Sequence, residues 1–105
     1  MDIYLAEIPE SNGHEQSGFR PVIVYNKPNS NISIVIPFTS NILALRFKYT
    51  FQVEPSLENG LTANSILLLF QMRALDNTRL KKKLGSISLE FEENIKKNLK
   101  EMLQL

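Results

Sequence analysis

Only one stretch of this chain repeats its apolar residues at helical spacing, and it lies at the C-terminal end. Phe91, Ile95, Leu99, Met102 and Leu103 recur at the three- and four-residue steps that gather side chains onto one face of a helix. Ser88 carries the side chain of a good N-cap. Glu90, Glu92 and Glu93 stand in the first turns, where the helix dipole favours anions, and Lys96, Lys97 and Lys100 follow. Glu92–Lys96 and Glu93–Lys97 are i,i+4 pairs in the favourable order, each worth only about 0.2–0.5 kcal/mol. The spacing predicts a helix over 88–105 whose stripe is a packing surface. The rest of the fold must come from something other than amphipathic helices.

What precedes the helix is a series of short β-type runs. Ile3 to Ile8, Arg20 to Tyr25, Ile32 to Thr39 and Tyr49 to Val53 read as strands, bounded by Pro9, by the Asn26–Asn31 turn with Pro28, and by Ser40-Asn41. Pro21 has no amide donor, so it belongs at a strand start or on an edge. Residues 42–47 are apolar but irregular, and Asn59-Gly60 marks a turn. Ala63 to Leu75 reads as one long β segment. Its unbroken Ile66–Phe70 run predicts burial on both faces. Asp76 to Lys83 reads as a polar, basic stretch holding a helical turn, and Leu84 to Ile87 as a last short strand. Residues 10–19 form a long polar loop, of a length that in a small domain tends to be functional. The expected fold is mainly β, a small barrel or strongly bent sheet closed by a C-terminal helix, in a single domain spanning residues 1–105.

Composition narrows the function classes. With 105 residues and 43% hydrophobic content, the core is adequate but modest, and dimerisation is a natural way to bury more surface. The chain has no cysteine, so disulfides and thiolate–zinc sites are excluded. It opens Met1-Asp2-Ile3, with an acid where a signal peptide would place basic residues, and no apolar run nears the ~18 residues of a membrane span. A cytoplasmic protein with no membrane partner is the expectation. The formal net charge is only +1, but residues 46–83 set seven cations against Glu54, Glu58 and Asp76, while both flanking segments are net acidic. Such a basic middle suits phosphates, and it equally suits a solvated surface.

The chemistry available is limited. A single histidine, His14, and no cysteine leave a metal site without its usual ligands, and no cofactor motif is evident. Gly13 and Gly18 precede no Lys-Ser/Thr pair, so the loop is not a P-loop. A Ser-His-Asp triad would have to use the lone loop His14. What remains is the Glu15-Gln16-Ser17 loop, Arg20 held stiffly before Pro21, and the hydroxyls of Thr39 and Ser40 at a strand end. Arginine clamps phosphate and stabilises its developing charge, and hydroxyls donate to phosphate oxygens. The set suits phosphodiester chemistry without a metal, although Arg and Thr at strand ends are commonly structural.

Gly13-His14-Glu15-Gln16-Ser17-Gly18-Phe19-Arg20-Pro21-Val22-Ile23-Val24 resembles the signature of the MazF/PemK family, Gly-x-Glu-Gln-x-Gly-x-Arg-Pro followed by β-branched residues. Further blocks resemble the family in the same order: Asp2-Ile3-Tyr4-Leu5, Ile36-Pro37-Phe38-Thr39-Ser40, Gly60-Leu61 to Ser65, Gln71-Met72-Arg73-Ala74-Leu75-Asp76, then Arg79-Leu80 and Lys83-Leu84-Gly85. The resemblance implies an SH3-like β-barrel with a C-terminal helix, a homodimer, and a cognate antitoxin that blocks the RNA groove. It also implies a toxin that cuts single-stranded RNA at short sequences. The 2′-OH would attack the adjacent phosphate without metal, leaving 2′,3′-cyclic phosphate and 5′-OH ends. Arg20 would stabilise the phosphorane and take part in proton transfer, and Thr39 would donate to a phosphate oxygen. Glu15, Gln16, Ser40 and Gln71 would contact RNA.

Two departures from the family stand out: an opening at Met1-Asp2 without the usual Arg-Gly pair, and Phe70 where a carboxylate is common. A gyrase poison of the CcdB type shares the barrel but depends on an aromatic near the C-terminus, often Trp. This chain has no Trp and ends Met102-Leu103-Gln104-Leu105. An inactive binding module on the same fold is the other alternative.

Overall fold

The computed structural model describes residues 1–9 and 18–105. Along the described chain run β1 (Asp2–Ile8), β2 (Gly18–Asn26), β3 (Ile32–Thr39), β4 (Thr50–Val53), β5 (Ser65–Leu68), β6 (Arg73–Asp76), β7 (Leu80–Ser86) and α1 (Leu89–Met102). The strands pair antiparallel in the order β4-β5-β3-β2-β1-β7, with β6 also on β3.

β3 organises the sheet. One edge is held by β2; the other is divided, with β6 along Ile32–Val35 and β5 along Phe38–Thr39. A strand with two partners on one edge forces the sheet to bend there, which makes the fold barrel-like. Among the described residues no pairing joins β4 to β7, so the bent sheet stays open at those edges.

Strand alternation sorts the apolar side chains onto two faces. Register aligns Ile3, Ile23 and Ile36 in one row on the larger face, joined by Phe38, Leu67 and Leu69. α1 presses Ile95 and Leu99 onto this row. Each such fully buried side chain contributes about 1.5–3 kcal/mol. The smaller face gathers Ala6, Ile8, Val22, Val24, Val35 and Leu75. α1 starts where the sequence predicts, with the Ser88 hydroxyl accepting from the Phe91 amide at 3.1 Å. Phe91 meets Phe51 of β4 edge-on at 6.0 Å. Glu92 pairs with Lys96 at 3.6 Å, whereas Glu93 pairs with Lys96 at 3.8 Å rather than with Lys97. The helix ends at Met102, and Leu103 stays exposed, outside the buried stripe.

Three expectations need correction. The long β segment over 63–75 is two strands split by a 3-10 turn at Leu69–Gln71, because the chain leaves one part of the β3 edge and rejoins it at another. The last strand begins at Leu80 rather than Leu84, so the helical turn within 76–83 is confined to Asn77–Arg79. Lys81, Lys82 and Lys83 are exposed on β7, the end strand of the described sheet, where lysines keep an edge strand from pairing with another chain. Finally, the 10–19 loop is shorter at its far end, because Gly18 and Phe19 already belong to β2; residues 10–17, including His14, Glu15 and Gln16, lie outside the described residues.

Candidate active site

Two prolines open the site. The β2–β3 ladder runs from Val24↔Val35 to Val22↔Pro37 and stops, with Pro21 next on β2. Neither proline has an amide to donate, so the ladder ends beside them. Beyond that point the strands part. β2 stays on β1 through Pro21↔Leu5 and Arg20↔Ala6, while β3 turns to β5 through Phe38↔Leu67 and Thr39↔Ile66. The gap is a cavity of about 320 Å³ lined by Phe19, Arg20, Pro21, Phe38, Thr39, Ser40, Leu61, Thr62, Ala63 and Ser65.

The β2–β3 register carried two residues past Val22↔Pro37 sets Arg20 across from Thr39. Arg20 lies two residues from Val22 and Thr39 two from Pro37, so both side chains leave the face of that last pair, and both line the gap. Arg20 and Thr39 are half-buried, and Ser40 is exposed at the rim. The Thr39 hydroxyl accepts the Asn41 amide at 3.2 Å, which leaves its own proton to donate. Asn41 in turn caps the 3-10 turn Ile42–Arg46, its side chain accepting from the Leu43 amide at 3.0 Å. The end of β3 is therefore pinned by local bonds rather than left to fray.

The facing wall is the 54–64 loop, held by one buried side chain. Asn59 accepts from the amides of Ser56 and Leu61, both at 2.9 Å, and donates to the Glu54 carbonyl at 2.8 Å. The loop then lies backbone to backbone on β7, where the Ser86 amide donates to the Glu58 carbonyl at 2.8 Å. That approach requires glycine: Gly60 has a φ of +68°, and a Cβ there would overlap the Leu84 carbonyl. Leu61, Thr62 and Ala63 are carried into the cavity by this arrangement.

The structure thus brings together Arg20, Thr39 and Ser40. It leaves Gln71 outside the cavity, exposed in the Leu69–Gln71 turn beside the middle of β3. Gln71 sits next to an exposed aromatic pair, Phe47 and Phe70, whose rings meet edge-on at 5.8 Å, with the Arg46 guanidinium 4.7 Å from the Phe47 ring centre. Sequence reasoning did not single out Phe19 or the Asn59-built wall. The Asn59-Gly60 pair signalled a turn, but nothing local indicated that the turn would face Arg20.

The match to known proteins is decisive at this point. A family model described as a PemK-like, MazF-like toxin of type II toxin–antitoxin systems matches residues 1–103. The chain belongs to the PemK/MazF-like toxin family. It is 35% identical over 91 residues to a protein named endoribonuclease MazF from Staphylococcus saprophyticus, an alignment covering 83% of this chain and 75% of that relative. Its fold is similar to that of the Mycobacterium tuberculosis toxin MazF-mt6, with a TM-score of 0.78 at 16% identity over 100% of this chain and 98% of the other. Membership in a type II toxin family implies an antitoxin partner. No helix among the described residues is long and apolar enough to cross a membrane.

Proposed function

We propose that this toxin is an endoribonuclease that cuts single-stranded RNA in the cytoplasm through the cavity between β2 and β3. The observation that carries the reading is the meeting of Arg20 and Thr39 across one cavity, with the Thr39 proton left to donate. A scissile phosphate seated there meets a guanidinium for the charge that builds on the phosphorane and a hydroxyl donor for a non-bridging oxygen. The ribose 2′-oxygen forms its bond to phosphorus as the bond from phosphorus to the 5′-oxygen breaks. The 2′-OH proton is lost, the leaving 5′-oxygen gains one, and a 2′,3′-cyclic phosphate remains. DNA lacks the nucleophile.

Ser40 at the rim contacts the RNA directly, and Glu15 and Gln16 are further RNA contacts. Gln71, beside Phe47 and Phe70, is a contact for RNA outside the cavity. The active species is a homodimer, supported by the exposed Ile42, Leu43, Phe47 and Phe70 gathered near the β4–β5 side of a small domain. The antitoxin acts by covering the cavity.

The test is cleavage of a long single-stranded RNA by purified protein in EDTA, followed by mapping of the ends. Cyclic phosphate and 5′-OH termini are expected, with DNA of the same sequence intact and Arg20→Ala slowed at least 100-fold (about 3 kcal/mol of transition-state stabilisation). A requirement for Mg²⁺, or an Arg20→Ala protein as fast as wild type, overturns the reading.

A further inference from the structure

Among the described residues, Phe19 joins none of the apolar clusters. Its side chain is 58% exposed, although β2 buries Val22, Ile23 and Val24 completely or nearly so. A lone exposed phenylalanine is ordinary in itself. Its place is what matters, because it adjoins Arg20 in sequence and lines the same cavity as Arg20 and Thr39. Strand alternation sends consecutive side chains opposite ways, so Phe19 forms a different wall from Arg20. Phe38 and Leu61, which belong to the larger apolar face, supply further apolar lining in the cavity. The cavity is therefore two-sided, with the Arg20 guanidinium and the Thr39 hydroxyl on one side and the Phe19 ring with apolar neighbours on the other.

A single-stranded nucleotide is two-sided in the same sense, anionic at the phosphate and flat and apolar on the base faces. We propose that Phe19 is the stacking platform for the nucleobase flanking the phosphate held by Arg20 and Thr39, an inference that rests on the RNA-cleaving reading above. Stacking is sequence-tolerant, because every base has a π-face. Phe19 has no hydrogen-bonding group, so it holds a base without choosing which one. Choice among bases falls to the polar rim, including Ser40 and Thr62. Phe19 is thus a positioning residue that acts mainly on substrate binding, whereas Arg20 and Thr39 act on the bond that breaks.

The experiment combines kinetics with fluorescence. Phe19→Ala is expected to raise KM about 5- to 100-fold, the range of an aromatic–base stack, with a much smaller change in kcat. Phe19→Tyr should restore KM and Phe19→Leu should not, since leucine keeps apolar bulk without a ring. Because the chain has no Trp, Phe19→Trp supplies a single reporter. Its emission should be quenched on titration with an uncleavable 2′-O-methyl oligonucleotide. Quenching in a protein whose wild type fails to cut RNA would leave the stacking site standing and remove the nuclease reading. Cleavage with wild-type KM in Phe19→Ala and Phe19→Leu, or Trp emission unmoved while anisotropy shows the oligonucleotide bound, would overturn the inference and leave the nuclease intact.

Discussion

Asn59→Ala tests how the cavity wall is built. The Asn59 side chain is buried and makes three bonds that no neighbour replaces, accepting from Ser56 and Leu61 and donating to Glu54. Each intramolecular hydrogen bond is worth a net 0.5–1.5 kcal/mol, so their loss should cost about 2–4 kcal/mol. The Leu61 amide is the most exposed to this change, because Leu61 is itself buried and water reaches it poorly. A loss of that size should lower Tm by on the order of 10–20 °C and move the urea midpoint by about 1–2 M at unchanged m. The measurement is urea unfolding by circular dichroism at one protein concentration, since self-association would shift the midpoint. Asn59→Asp keeps both acceptor bonds but turns a carboxylate toward the Glu54 carbonyl, so it should fall between Ala and wild type. A loss under about 1 kcal/mol for Ala would refute the reasoning, because it would mean the loop holds its course without the side chain.

Other outcomes follow from single residues. Thr39→Val keeps the shape and removes the donor, so kcat for RNA cleavage should fall about 10²-fold or more with Tm within a few degrees of wild type. Gly60→Ala places a Cβ against the Leu84 carbonyl at a φ of +68°, and calorimetry should show a loss of about 2 kcal/mol or more. Hydrogen bonds from the Thr78 backbone and side chain, helped by Arg79, hold the exposed Asp76 carboxyl below its ordinary value. A carboxyl lowered in the folded state contributes stability above its unfolded pKa and loses it as pH falls through the folded value. Asp76→Asn keeps the cap and removes the titration, so it should flatten a small part of the stability decline below about pH 4 in acid unfolding curves.

The legible parts of the fold are those with local causes. Ile95 and Leu99 announce α1 because helical spacing needs no partner to be seen, and Ser88 marks its start. The break at Leu69–Gln71 leaves no local mark, since Leu67, Leu68, Leu69 and Phe70 are uniformly apolar; it exists because β5 and β6 share one edge of β3. β7 was masked by Lys81, Lys82 and Lys83, whose side chains report an open edge and hide the strand beneath them. Phe19 read as loop because the polar run before it continues up to Gly18.

The candidate site was legible as a set of residues, but the register that brings Arg20 and Thr39 to one cavity was not, and it turns on a single residue. Asn26 pairs with Ile34, but from Val24↔Val35 onward the ladder is offset by one, so a bulge sits between Val24 and Asn26. Without it the hairpin would continue from Asn26↔Ile34 with Thr39 falling opposite Pro21. A one-residue slip sends a side chain to the other face of the sheet. Thr39 would then turn its hydroxyl away from Arg20, and the two functional groups would stand on opposite sides of the same strands. Bulges occur beside active sites because they re-aim side chains in this way. Nothing in the Asn26–Asn31 turn specifies the bulge by residue type alone. It is selected by what it aligns, Ile23 with Ile36 on the larger core face and Val24 with Val35 on the smaller one, and the same register sets the faces from which Arg20 and Thr39 enter the gap. The core packing and the proposed chemistry therefore depend on the same register, so a deletion that removed the bulge should abolish folding and cleavage together rather than cleavage alone.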